Sequence, residues 1–403
     1  MSRFLQSRAV STAGAFSAAI VGGCSGFQLN TDVSVDAGPT LTAGALCATA
    51  SEIGDLPDYP QGFHVVGNRI QDSSGNPVIL HGVSRSGTEY RCIQTGGFFD
   101  GACDEDSVRA MASWNINAVR VPLNETCWLA INGAPAAFAG ENYKASIRSY
   151  VQLLHKYKLI PILELHWTAP GSNKATGQQP MPDIDHSLDF WREVAATFLD
   201  DKGVIFEPFN EPFPGNNQDS DAAWACWQDG CTVSIRAMGS APAVTYTGAG
   251  MQALVSAIRE TRADQLILLG GVQYSNSLTQ WRAHQPNDPL GNVAAAWHIY
   301  PGNRCDDRDN QACWNGAPAS LAADVPIVAT EIGEYDCAGT FITTVMTWLD
   351  AHSLGYLAWS WNVSTACMPG TKQGSTSLVV DYAAGTANGA YAQTFHDYLM
   401  MKQ

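Results

Sequence analysis

Eight short apolar runs, each the length of a strand and without the alternation of a half-exposed one, recur along this 403-residue chain. They span Val78–Val83, Ala118–Pro122, Leu159–Leu165, Val204–Asn210, Leu266–Gly270, Val293–His298, Ile327–Glu331 and Tyr356–Trp361. Unbroken runs of this kind suit strands covered on both faces, the condition inside a parallel sheet. Between them lie helix-period stretches: Ile147, Val151 and Leu154, then Leu188, Trp191, Ala195 and Phe198, then Met251, Leu254, Val255 and Ile258. Alternation of the two periods predicts successive βα units. Eight such units predict a closed α/β fold, a (β/α)8 TIM barrel with extended loops on its active face. The helix around 318–324 is weakly marked. Ahead of the barrel, Phe63–Val66 and Arg69–Ile70 flank Gly67-Asn68 and read as a short hairpin that packs on the barrel bottom. Residues 57–403 are read as one catalytic-sized domain.

The remaining N-terminal part has another character. Arg3 and Arg8 precede an uncharged, small and apolar stretch from Ala9 to Gly23, too short to span a bilayer, which reads as a signal peptide over 1–24. Its end, Val21-Gly22-Gly23-Cys24, resembles a bacterial lipobox without the usual leucine, so lipidated Cys24 is the expected membrane tether. Residues 25–56, rich in Thr, Ser, Ala, Gly and Asp, read as a flexible tether. An exported protein, secreted or held at the cell surface, meets an oxidising compartment, and eleven cysteines fit one. The expected bridges are Cys226–Cys231, Cys305–Cys313 and Cys337–Cys367. For Cys47, Cys92, Cys103 and Cys127 the sequence leaves Cys92–Cys103 and Cys92–Cys127 both open. A net charge of -16 and a pI near 4.8 argue against nucleic acid as a partner, because like charges repel. With no C-x-x-C and no H-x-H pair, neither metal nor cofactor is expected.

In such a barrel the strand bodies are core and the C-terminal tips carry chemistry. Asn210-Glu211 ends the fourth run and Glu331 the seventh, so two carboxyl groups are expected to meet on one face, as glycosidic bond cleavage requires. Other tips are polar or aromatic: Arg120 on the second, His166 and Trp167 on the third, His298 and Tyr300 on the sixth, and Trp361 on the eighth. An arginine at that depth needs a carboxylate or a ligand. The loop tryptophans Trp128, Trp167, Trp224, Trp227, Trp281 and Trp314 are expected to divide between core and a sugar-stacking cleft. The long segment from Phe213 to Thr247 is a candidate wall of that cleft.

With those residues in that order, the chain resembles glycoside hydrolase family 5, the cellulase-like retaining family, over roughly residues 60–400. The resemblance implies Glu211 as acid/base and Glu331 as nucleophile, with Arg120 and Tyr300 bonded to the nucleophile and His298 orienting the acid. It further implies Asn210 on the sugar 2-hydroxyl, His166 in sugar binding and Trp361 as the platform beneath the ring. Thr330 and Ile332 flank Glu331 where the family often has glycine and an aromatic, which leaves Glu334 as a rival nucleophile. The implied activity is that of an endo-β-1,4-glucanase, monomeric and acting on a polysaccharide or oligosaccharide. Mannan- or xylan-active and exo-acting hydrolases are the alternatives, and a carbohydrate-binding barrel is the non-enzymatic one.

Mass spectrometry of the mature protein from a native-type host is expected to find lipidated Cys24 as its first residue. Another N-terminus, or an unmodified Cys24, would remove the lipid anchor while leaving export intact.

Overall fold

A computed structural model describes residues 47–48, 57–235, 244–305, 312–364, 367 and 376–402. The expected signal peptide, Cys24 and all of the tether except Cys47 and Ala48 lie outside the described residues. Two strands, β1 (His64–Val66) and β2 (Arg69–Gln71), form the antiparallel hairpin ahead of the barrel. Eight parallel strands then close on themselves: β3 (His81–Ser84), β4 (Ala118–Asn124), β5 (Ile160–Trp167), β6 (Ile205–Glu207), β9 (Ile267–Gly270), β10 (Val293–Ile299), β11 (Ile327–Ile332) and β12 (Gly355–Trp359). Each of the eight apolar runs therefore forms one barrel strand. Two end earlier than their runs. β6 stops at Glu207, where Pro208 has no amide hydrogen to continue the ladder, and Trp361 falls beyond β12.

Helices pack outside most of the strands, among them Glu141–Lys156 before β5, Ser187–Thr197 before β6, Met251–Glu260 before β9, Thr340–Ala351 before β12 and Gly389–Met400 after it. The weakly marked segment forms a helix over Ala317–Ala322. The alternation has one gap: residues 271–292, between β9 and β10, are turns and extended chain without a helix. The segment following Glu211 builds a helix over Asp221–Asp229, capped by the Ser220 hydroxyl, and an antiparallel ribbon of β7 (Gly230–Ile235) and β8 (Val244–Ala249).

Period-two alternation divides each barrel strand into an outward and an inward set. The inward set starts with an apolar layer of Leu80, Ala118, Ile160, Ile162, Ile205, Leu266, Leu268, Ala294, Ala296, Val328 and Leu357, and Phe63 and Ile70 of the hairpin join this cluster. Strand starts supply much of it, so the hairpin closes the bottom of the barrel. Asn292 clamps it there, donating from Nδ2 to Phe63 O (3.0 Å) and accepting at Oδ1 from Val65 N (3.0 Å). Two residues further along the same inward rows stand Arg120, Glu164, Glu207, His298, Thr330 and Trp359. The apolar floor thus hands over to a polar upper layer within one strand repeat.

Five disulfides stitch the chain. Cys226–Cys231, Cys305–Cys313 and Cys337–Cys367 form as expected, and the undecided four pair as Cys92–Cys127 and Cys47–Cys103. The last ties the end of the tether to the loop after β3, across 56 positions.

Phe63→Ala is expected to lower stability by about 3–5 kcal/mol in urea or thermal unfolding, through lost burial and the cavity left behind. Activity of the folded variant should be unchanged, because Phe63 sits at the end of the barrel away from the polar layer. A loss under about 1 kcal/mol would mean that the hairpin does not plug the barrel.

Candidate active site

Arg120 organises the upper layer. It is fully buried on β4 and reaches across the lumen, with Nε donating to Glu207 (2.6 Å), Nη1 to Glu331 Oε1 (2.7 Å) and Nη2 to Asn210 Oδ1 (2.7 Å). Glu164 lies 3.4 Å from the same guanidinium. Burial alone would lower the Arg120 pKa, but the charges of Glu164, Glu207 and Glu331 outweigh it and keep the side chain firmly charged. Asn210 is held by its oxygen, which leaves its amide hydrogens for another acceptor.

Strict alternation would put Thr330 inside the barrel and Glu331 outside. The pairing of β11 shifts register here on both sides, a local irregularity that turns both side chains inward. Glu331 Oε1 then accepts from Arg120 and Oε2 from the Tyr300 hydroxyl (2.7 Å). Burial and the Glu331 charge hold Tyr300 well above its ordinary pKa, so it stays a donor. Gly333 makes room for that ring, since a Cβ there would lie 2.6 Å from a Tyr300 ring carbon. Tyr335, exposed, stacks on Tyr300 at 5.6 Å and 12°.

Glu211, just past β6, has each oxygen engaged: Oε1 is 2.9 Å from His298 Nδ1 and Oε2 accepts from Gln178 Nε2 (2.6 Å). The His298 tautomer follows from its other nitrogen. The Thr330 hydroxyl has one proton and donates it to Glu207 (2.8 Å), so it accepts from His298 Nε2 (3.2 Å). Burial brings His298 down to about 4, so it is neutral at neutral pH. Its Nδ1 is then an acceptor, and the proton in the pair belongs to Glu211 Oε1. Burial also raises the pKa of Glu211, against the pull of Gln178, His166 and Arg120. Glu331 is raised by burial too, with His298 and Arg120 opposing, but its partners differ. Arg120 and Tyr300 both donate to it, which favours the ionised carboxylate.

Glu211, His298 and Glu331 each offer one ligand-type atom within 4.8 Å of the others, so an oxygen of Glu211 lies that close to one of Glu331. Retaining glycosidases hold their carboxyl groups about 5–5.5 Å apart, against about 6.5–9.5 Å for inverting ones. The pair belongs to the shorter class.

His166 is fixed through Nδ1 to Glu164 Oε1 (2.6 Å), and its ring stacks on Trp359 at 5.4 Å and 11°. Burial holds Glu164 up to about 8, and lowers His166. Trp167, partly exposed, lies 6.4 Å from Tyr90 across the mouth of β5.

Two sequence expectations need correction. Trp361 is no platform: it is fully buried and packs edge-on against Trp114 at 4.9 Å. Trp359, on the inward row of Leu357, is the partly exposed tryptophan beside His166. The loop tryptophans are also more buried than expected, since Trp128, Trp224, Trp227, Trp281 and Trp314 are all 0% exposed and only Trp167 reaches the cleft. Glu334 stands outside the cluster, accepting from the backbone amides of Gly339 and Ile342 at the start of the helix Thr340–Ala351. Sequence reasoning missed Glu164, Glu207, Thr330 and Trp359, although each lies two positions past an apolar inward residue. It also missed Gln178, for which no periodic signal exists because the residue sits in a loop.

The sequence matches the family "Cellulase (glycosyl hydrolase family 5)" over residues 71–365. It is 22% identical over 305 residues to a mannan endo-1,4-beta-mannosidase of Salipaludibacillus agaradhaerens, covering 74% of this chain and 81% of that protein. It is 22% identical to an endoglucanase of Clostridium saccharobutylicum, covering 80% of this chain but only 59% of that protein. In fold it is similar to the beta-glucanase SdGluc5_26A of Saccharophagus degradans, with a TM-score of 0.62 at 17% identity, covering 86% of this chain and 95% of that one. The mannanase catalytic domain of Streptomyces sp. SirexAA-E gives a TM-score of 0.57 at 18% identity, covering 85% and 92%. A match over most of the barrel, on a closed eight-stranded parallel sheet, assigns the chain to glycosyl hydrolase family 5, whose members hydrolyse O-glycosidic bonds.

Proposed function

We propose that the protein is a retaining β-glycanase, an endo-β-1,4-glucanase, in which Glu331 is the nucleophile and Glu211 the acid/base. The observation that carries this reading is the approach of a Glu211 oxygen to a Glu331 oxygen within 4.8 Å, with donors aimed at one and a proton acceptor beside the other. Glu331 attacks the anomeric carbon as Glu211 protonates the departing oxygen, leaving a glycosyl ester. Glu211, now ionised, takes a proton from water, whose oxygen attacks the same carbon and releases Glu331 with net retention. Arg120 and Tyr300 hold Glu331 for attack, and His298 orients Glu211. The Asn210 amide is placed to donate to the 2-hydroxyl, while His166 binds the sugar and Trp359 supplies the ring platform that the sequence assigned to Trp361. Trp167 extends the stacking surface.

Mannan is the competing substrate, supported by the named mannan endo-1,4-beta-mannosidase among the relatives. The five bridges support folding in an oxidising compartment, as an exported chain meets; the proposal adds a tether through lipidated Cys24 and a monomeric enzyme.

Reducing-sugar release on cellulose, β-glucan, mannan and xylan, with and without chelator, tests the substrate. Highest turnover on β-1,4-glucan, indifferent to chelator, is expected; preference for mannan would replace the substrate but not the mechanism. Glu331→Ala and Glu211→Ala should each lower turnover on polysaccharide by roughly 10²- to 10⁴-fold or more with the fold intact. Only Glu211→Ala should recover with azide or an activated aryl glycoside. An inverted first product by NMR would overturn the mechanism. Trp359→Ala should weaken kcat/KM about 3- to 10-fold at unchanged stability, whereas Trp361→Ala should cost about 3–5 kcal/mol of stability.

A further inference from the structure

Gln178 belongs to none of the strand tips, yet its Nε2 lies 2.6 Å from Glu211 Oε2, the shortest polar contact that either oxygen makes. It sits in the loop between β5 and the helix Ser187–Thr197, and that loop is built rather than loose. On one side of Gln178, Ala175 donates to the Thr126 hydroxyl (2.8 Å) and accepts from Asn124 (2.8 Å). On the other, Phe213 N donates to Pro180 O (2.9 Å) and the Tyr246 hydroxyl to Met181 O (2.6 Å). Four anchors from three different parts of the barrel top therefore fix where the amide points.

Resting on the reading of Glu211 as acid/base, we propose that Gln178 is a positioning residue that assigns the Glu211 proton to Oε1 and holds the carboxylate plane for the second, water-activating half of the reaction. An amide N–H donates most strongly to the unprotonated oxygen, so while it occupies Oε2 it favours the proton of the neutral acid on Oε1, where His298 Nδ1 is the acceptor. After the proton has left with the departing alcohol, the same N–H meets a full carboxylate and the bond strengthens. Glu211 then accepts a proton from water while the water oxygen displaces the ester oxygen of Glu331 from the anomeric carbon. The residue thereby favours the ionised state of Glu211, against burial. Other charged or titratable groups face that carboxyl from every side: Arg120, Glu164, His166, His298, Glu331 and the tyrosines Tyr274, Tyr300 and Tyr335. None of them changes in a Gln178 variant, so the effect of the amide can be isolated.

The sign is fixed by the chemistry. The first half needs protonated Glu211, so kcat/KM falls as pH rises through its pKa. Removing a donor that favours the ionised form raises that pKa. Gln178→Met, which keeps the length but not the N–H, should therefore move the basic limb of kcat/KM upward by about one unit. On a dinitrophenyl cellobioside, where the second half limits turnover, its kcat should fall and azide, which needs no base, should restore it. Gln178→Glu should move the limb further, because two carboxyl groups would then share the site. A role limited to loop packing would lower activity at every pH and leave the limb in place, and that result in Gln178→Met would overturn the proposal. Glu211→Ala is the control. If it retains the basic limb and ignores azide, the acid/base reading falls and takes this proposal with it; if it behaves as an acid/base variant while Gln178→Met keeps the original limb, only the role of Gln178 is wrong.

Discussion

One buried guanidinium holds the upper half of this barrel in place. Removing Arg120 from water costs several kcal/mol, and only close, well-aimed carboxylates return it. The structure supplies Glu207 and Glu331 at 2.6 and 2.7 Å and Glu164 at 3.4 Å, from three different strands. A single positive charge cannot offset three ionised carboxylates at that depth. The one cheapest to neutralise is the one paired at the longest distance, and Glu164 is the carboxyl held up to about 8. Its Oε2 is buried and has no hydrogen-bond partner among the described residues, which a protonated carboxyl tolerates better than an ionised one.

From that charge count the rest of the network takes its direction. Glu207 is spoken for by Arg120 and by the Thr330 hydroxyl, so Thr330 must accept from His298. His298, neutral, must accept from Glu211. Each bond settles the polarity of the next, and a chain that begins at Arg120 ends by putting a proton on one glutamate while Glu331, bonded directly to Arg120 and Tyr300, is left as an acceptor. Two carboxyl groups raised by the same burial thus differ through hydrogen-bond direction more than through depth.

Much of this was legible in the sequence, for a physical reason. Strands covered on both faces must be apolar over their length, so all eight runs were visible, and polar residues at their tips stood out against that background. Arg120, Asn210, Glu211, His298, Tyr300 and Glu331 all fall into one bonded cluster. The error at Trp361 arose because the strand end was placed by hydrophobicity. Counting inward positions in steps of two from Leu357 reaches Trp359, the last residue of β12; Trp361 lies past the strand end, where the alternation no longer holds, and packs into the core around Trp114. Glu164 and Glu207 were hidden inside runs that read as plain strand. Pairing of Cys47 with Cys103 was beyond reach, since it depends on where a tether lies and no periodicity records that. Five of the six tryptophans misled for a related reason: large apolar side chains in the βα segments pack those segments onto the barrel, and burial of Trp224 and Trp227 against each other at 5.3 Å serves that end.

The floor of the site and its walls therefore answer to different constraints. Arg120, Glu207, Thr330 and His298 sit on strands whose register is locked by the barrel, and changing any of them unbalances a buried charge network. Phe213, Tyr274 and Tyr335 stand on loops and Trp167 is the last residue of β5; Tyr335 is exposed and the other three are partly exposed, so their replacement disturbs little beneath them. Phe213 and Tyr274 meet at 4.6 Å, and the Tyr274 amide donates to Pro212 O next to Glu211. That pair thus stands beside Glu211, while Trp359 and His166 stack on each other next to Glu164. A floor this constrained can serve any β-linked hexose, which leaves discrimination between glucan and mannan to the exposed aromatic rim and to loops that five disulfides hold in shape.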